Sequence, residues 1–393
     1  TLHRSLRPDL NRQLSRRQVR QTLQQPERRV VVTGVGVVTG YGLGSDVLWK
    51  GLVSGKSAVR PVSWGGWDSA PVQVAAQVPE KISGSGWRSL QMARLALREA
   101  LHGGCLQGVG GLSAAIGWPA PGETNGVDPL QVLAEEFSLS GPREESLAAC
   151  AASTQSIGEA FRLVRDGEAD WMVAGGADGR AHPGGLLGYD RLGALARGFR
   201  ESPDEGCRPF GKGRTGFVVG EGAALLVLEE KSRAEKRGAK IYAEIGGAAE
   251  GCDAFRITDP GEDAVEAAFC VESCLADAGL KAEEVEAVVS HGTGTPANDR
   301  AEAKALRAVF GERQPWVNAP KARVGHLSMA CGAVESAIAV LSLREDFFPA
   351  TAAEGWEKDG DCAVRMAPAP GKNPHAEPEP RWPTPPPRTP SRD

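Results

Sequence analysis

The chain has 393 residues, 41% of them hydrophobic, with 45 lysines and arginines against 50 aspartates and glutamates for a net charge of −5. That length exceeds what one compact core usually holds, and the mildly acidic balance argues against non-specific nucleic-acid binding. No apolar run approaches the roughly 20 residues of a membrane helix. Eight cysteines without CxxC or Cys/His spacing argue against a disulfide scaffold and a zinc site, and for reduced thiols in a cytosol-like compartment.

Residues 1–27 read as a separate basic extension, with six arginines and with Leu2, Leu6, Leu10 and Leu14 four residues apart. This composition fits a flexible basic arm, an upstream extension or an organelle transit peptide. The expected compartment is the cytoplasm, or an organelle matrix if the segment is a targeting signal. A β-branched run, VVVTGVGVV (30–38), predicts a buried strand. Helical periodicity follows over 89–102 and 153–167, with strands over 171–177 and 224–229. A strand at KIYAEIGG (240–247) opens a second series: a helix over 263–278, a strand over 286–292, and helices over 298–310 and 332–344. Alternating strands and helices predict an α/β protein with largely parallel sheets covered by helices. Two halves are expected, 28–238 and 239–367, and the proline-rich stretch 368–393 is expected to be disordered.

Three segments carry candidate chemistry. In SLAACAASTQSIGEAFRLVRDG (146–167), Cys150 sits among alanines at the mouth of an amphipathic helix. Unpaired N–H groups and the helix dipole there would lower a thiol pKa and raise its reactivity. Read alone, a cysteine among alanines is more often an inert core residue. In SHGTGTPANDRAE (290–302), His291 ends an apolar strand, with Thr293 and Thr295 in the loop and Asp299 and Glu302 where a helix begins. The bland alternative is a turn histidine with acids capping the helix. PKARVGHLSMACGAVESAIAVL (320–341) holds Lys321, His326 and Glu335. A Lys–Glu pair bracing a loop is its structural alternative. No HxxxH spacing occurs, and no metal is expected.

These segments in order, with RPFGKGRTGFVVGEGAALLVLEE (208–230) and GCDAFRITDP (251–260), resemble the β-ketoacyl-acyl-carrier-protein synthases over about residues 29–366. The resemblance implies a thiolase-like five-layer αβαβα fold built from two duplicated halves, a homodimer, and no cofactor. Its partners would be acyl carrier protein with acyl and malonyl thioesters. It implies that Cys150 is acylated and that His291 and His326 form the histidine pair of the elongating, Cys–His–His class. Lys321 with Glu335 would organise the second histidine, Asp299 and Glu302 would support the first histidine's loop, and Thr293 and Thr295 would bind substrate. The implied reaction is a decarboxylative Claisen condensation in fatty-acid elongation or polyketide-type synthesis.

Several positions depart from the family pattern. Gly211 and Thr215 stand where acids are usual, and Ser328, Met329 and Cys331 replace an alanine- and glycine-rich stretch. The glycine-rich GFGG-type segment with which family members close is not found in these 393 residues. In the family it supplies one oxyanion donor, and losing such a donor costs about 3–4 kcal/mol of barrier. A degenerate, non-catalytic dimer partner or regulator is therefore the alternative reading.

Overall fold

The computed structural model describes residues 28–67, 69–79, 87–103, 106–119, 126–256, 259–351, 356–357 and 359–367. The basic extension 1–27 and the tail 368–393 lie outside the described residues. Strands in chain order are β1 (Val30–Thr39), β2 (Gly42–Leu43), β3 (Arg60–Pro61), β4 (Val74–Ala75), β5 (Gly110–Ile116), β6 (Arg143–Glu145), β7 (Trp171–Asp178), β8 (Gly222–Glu230) and β9 (Ala243–Ile245). Then follow β10 (Ala287–Val289) and β11 (Trp316–Asn318).

The main sheet runs β2-β1-β8-β7-β5-β6, with β9 also on β1. Its β5–β7 and β5–β6 pairings are parallel, whereas β1–β8, β7–β8, β1–β2 and β1–β9 are antiparallel. The expectation of largely parallel sheets is corrected here to a mixed sheet. Its cause is that a strand covered on both faces is apolar throughout whichever way its neighbours run. The alternation shows in β8, where Ala224, Leu226 and Leu228 enter one apolar cluster and Ala223, Leu225 and Val227 the opposite one.

Layers follow from these two faces. Helix Arg88–Ala100 lies on one side, against β1, β8 and β7. Gly34 and Gly36 let it approach, since a Cβ at either would run into the carbonyl oxygen of Ala100 or Ala96. Helices Ala152–Arg165 and Cys331–Glu345 cover the other side. Beyond them lies the parallel pair β10–β11, extended by a single bridge from Val317 to Met366. Helices Val265–Ala278 and Pro296–Phe310 pack on that pair through Val271, Leu275, Ala303, Leu306 and Phe310. The result is an αβαβα stack in a mixed α/β, thiolase-like fold. The strand expected over 240–247 shortens to Ala243–Ile245 and joins the first sheet, in register with Val30–Val32. Among the described residues, no helix is long and apolar enough to cross a membrane.

Candidate active site

Cys150, His291, Lys321 and His326 converge between the two sheets, each placed by a distinct local device. Cys150 occupies the one-turn 3-10 segment Ala149–Ala151 that feeds helix Ala152–Arg165. Ala149 just before it has φ 49°, a left-handed conformation that an L residue holds only when its surroundings impose it. His291 follows β10, and Ser290 pins the strand end by donating N–H to the Asn318 carbonyl at 2.8 Å. Glu302 then accepts N–H bonds from His291 and Gly292, both at 2.7 Å. Asp299, fully buried, accepts from Phe210 N at 2.8 Å and Gly294 N at 3.1 Å, with Arg214 Nε at 3.4 Å. Thr293 and Thr295 bond to one another through their hydroxyl oxygens at 2.8 Å.

His326 is clamped to the first half of the chain. Its N–H donates to Val218 O at 2.7 Å and its carbonyl accepts from Gly220 N at 2.9 Å. Gly325, at φ 74°, makes that approach sterically feasible, because a Cβ there would stand 3.0 Å from Gly220 N. Phe217 stacks on the His326 ring at 4.4 Å, and the two histidine rings stand 5.8 Å apart at 76°.

The Cys150 Sγ lies 3.5 Å from His291 Nε2. One ligand-type atom from each of Cys150, His291 and His326 lies within 4.8 Å of the others. That spacing could span a cation, but the Lys321 ammonium beside His291 opposes one electrostatically. Lys321, 1% exposed, faces three acceptors: His291 Nδ1 at 3.1 Å, His291 O at 2.6 Å and the Glu335 carboxylate in close contact. Those are as many bonds as an ammonium can donate.

This wiring assigns the tautomers. Glu335 holds the Lys321 pKa above its ordinary value against the cost of burial, so the amine stays charged and can only donate. His291 Nδ1 therefore accepts, and its ring proton resides on Nε2. His326 Nδ1 accepts from Ser328 N at 3.1 Å, which places its proton on Nε2 as well. Burial first, then the Lys321 charge, push the His291 pKa well below its ordinary value and that of His326 to about 3. Both rings are neutral donors at physiological pH.

Two expectations are corrected. The Cys150 thiol pKa is raised, because burial outweighs the pull of the Lys321 ammonium. Lys321 and Glu335 wire the first histidine, His291, whereas the second is set by Ser328 N. Tyr189 carries no motif signal of its own; Phe217, within RPFGKGRTGFVVGEGA, is marked for a ring-stacking role only by its aromatic character among glycines and valines. Gly211 and Thr215 flank Arg214, which reaches Asp299, the Asp359 carboxylate and Cys362 Sγ.

A thiol and two neutral imidazole donors thus surround one small space inside an αβαβα fold. Sequence profiles described as "Beta-ketoacyl synthase, N-terminal domain" match residues 27–93 and 129–234, and "Beta-ketoacyl synthase, C-terminal domain" matches 242–353. The 3-oxoacyl-(acyl-carrier-protein) synthase 2 of Coxiella burnetii is 33% identical over 368 residues, covering 83% of this chain and 88% of its own. A mitochondrial 3-oxoacyl-(acyl-carrier-protein) synthase of Arabidopsis thaliana is 29% identical, covering 82% of this chain and 83% of its own. The solved ketosynthase of a type II PKS, in complex with its acyl-carrier protein and bound to the hexaketide, superposes with a TM-score of 0.79 at 28% identity, covering 86% of this chain and 91% of its own. The chain belongs to the beta-ketoacyl synthase family, a family of acyltransferases.

Proposed function

We propose that this chain performs a decarboxylative Claisen condensation, joining an acyl group held on Cys150 to malonyl-acyl carrier protein and releasing a β-ketoacyl-acyl carrier protein. The observation that carries it is the pair of neutral histidines, His291 and His326, each with its proton on the ring nitrogen left free by the contacts of Nδ1.

In the first half-reaction the Cys150 sulfur attacks the acyl thioester. The carrier's thiol leaves, taking the proton that Cys150 gives up. The Lys321 charge and the His291 Nε2–H favour the thiolate form of a thiol that burial otherwise keeps protonated. In the second, malonyl thioester loses CO₂, and its carbonyl oxygen becomes an enolate that accepts both Nε2–H bonds. Such prepositioned donors act on charge that develops only in the transition state. The enolate carbon attacks the acyl carbonyl, the tetrahedral intermediate collapses, and Cys150 leaves as a thiolate that takes a proton from solvent. Glu302 and Asp299 hold the His291 loop, Glu335 holds Lys321, and we assign Thr293 and Thr295 to binding the carrier-borne thioester. The chain acts as a homodimer in a cytosol-like compartment or organelle matrix.

The intact wiring supports a catalyst over a non-catalytic partner. Incubation with acyl-loaded carrier protein and intact-mass measurement is the test: a mass increase of one acyl group, lost in Cys150→Ala, is expected. A folded wild-type protein that acquires no adduct sinks the reading.

A further inference from the structure

Beside His326 runs a polar strut of Tyr189, Arg180, Asp178 and Ser328, which the condensation chemistry leaves unused. Tyr189, on helix Pro183–Arg191, brings its Oη to 2.7 Å from Ser328 Oγ and receives a bond from Arg180 Nη1 at 3.1 Å. The same ring meets Phe217 edge-on at 5.4 Å and 78°, and Phe217 stacks on His326. Ser328 in turn donates its N–H to His326 Nδ1. Ser328 has φ 49°, a backbone conformation that a serine keeps only when neighbouring contacts over-determine it. Asp178 braces the next residue by accepting from Met329 N at 3.4 Å, and it holds Arg180 through Arg180 N at 3.1 Å and Nε at 3.4 Å.

We propose that Tyr189, anchored by Arg180, is a positioning residue for His326, fixing both its ring plane and its tautomer. Two routes converge on one imidazole. The hydroxyl holds Ser328 in its left-handed turn, so that the Ser328 N–H meets Nδ1. The ring backs Phe217, which sets the plane of His326. With the hydroxyl removed, Ser328 relaxes, the Nδ1 acceptor loses its partner, and the Nε2–H no longer points reliably at the enolate oxygen. The inference rests on the reading of His326 as an enolate donor, so its consequences fall on one half-reaction. Decarboxylation uses His326, whereas transfer of the acyl group to Cys150 uses His291 and Lys321.

The experiment compares wild type, Tyr189→Phe, Ser328→Ala and the double variant in three measurements. Malonyl-carrier decarboxylation is expected to fall about tenfold in kcat for each single variant. KM should stay within about twofold, and the double variant should be no worse than either single one, because both break the same strut. The rate of Cys150 acylation should be unchanged. Spectra of ¹⁵N-histidine protein should show His326 as one Nε2–H tautomer in wild type and a tautomer mixture in Tyr189→Phe. Wild-type kcat in Tyr189→Phe with an unaltered tautomer, or acylation falling in parallel with decarboxylation, overturns the proposal. If the wild type neither acylates nor decarboxylates, the functional reading fails, while the tautomer measurement still decides the role of Tyr189.

Discussion

Lys321 Nζ stands 3.1 Å from Nδ1 of His291 and 2.6 Å from the carbonyl oxygen of the same residue. One cation thus fixes a histidine at both its ring and its backbone, and the Glu335 carboxylate offsets the cost of burying it. Lys321→Ala leaves Glu335 in a mostly buried site without its partner, and a loss of about 3–5 kcal/mol is expected. Urea denaturation of Lys321→Ala and of the double variant Lys321→Met/Glu335→Leu separates stability from chemistry. The double variant should recover most of the stability and none of the condensation activity.

Thiol reactivity should carry the signature of burial. The Cys150 pKa lies above its ordinary value, with Lys321 pulling it down. Alkylation by iodoacetamide, followed against pH, should therefore show a midpoint above that of a free thiol. Lys321→Ala should move the midpoint higher still. A midpoint below the free-thiol value would contradict the geometry.

His291 and His326 are both held neutral, His326 with a pKa of about 3. Lowered pKa values mean that neither ring gains a proton as pH falls through 6.5. Condensation activity should show no loss centred near that pH from imidazole protonation, and neither ring should titrate there in NMR spectra.

Glu302 works in the opposite sense. Burial raises its pKa from 4.5 to about 7, only partly countered by the two N–H bonds it accepts. Between those values the folded chain keeps a proton that the unfolded chain releases. Stability from this group is therefore present at low pH and declines as pH rises toward 7. The difference in unfolding free energy between wild type and Glu302→Gln, measured across pH 4.5 to 8, should fall through that window and level off above it.

Gly332, in helix Cys331–Glu345, packs tightly against Thr154 of helix Ala152–Arg165. A Cβ there would meet the Thr154 side chain, and would lie 2.9 Å from Thr154 N. Gly332→Ala must push helix Cys331–Glu345 off helix Ala152–Arg165, and a loss of about 1–3 kcal/mol is expected in thermal or urea unfolding.

Much of this was legible in the sequence, and the failures have physical causes. The strand over 30–38 and the helices over 153–167 and 332–344 match Val30–Thr39, Ala152–Arg165 and Cys331–Glu345 within two residues, since apolar periodicity and burial coincide there. Strand direction was not legible, because composition records burial and not polarity. Cys150, His291, Lys321 and His326 could be picked out as an ordered set, and the structure brings them together. Which histidine Lys321 serves could not be read, since spacing in a loop does not fix where a flexible ammonium points. Tyr189 and Ser328 lie 139 positions apart, and no local pattern joins them.

The clamp between His326 and the 217–220 segment, like the contact of Cys150 with a histidine 141 residues further on, has a consequence for biogenesis. A ribosome delivers Cys150 long before the groups that surround it. Until His291, Lys321 and His326 have emerged and docked, Cys150 is an ordinary thiol on an unfinished chain, without its paired donors or its neighbouring cation. Contacts this distant in sequence also form slowly. Under the proposed condensation, the first turnover therefore marks the emergence and docking of His326, and no nascent fragment ending before it should give one.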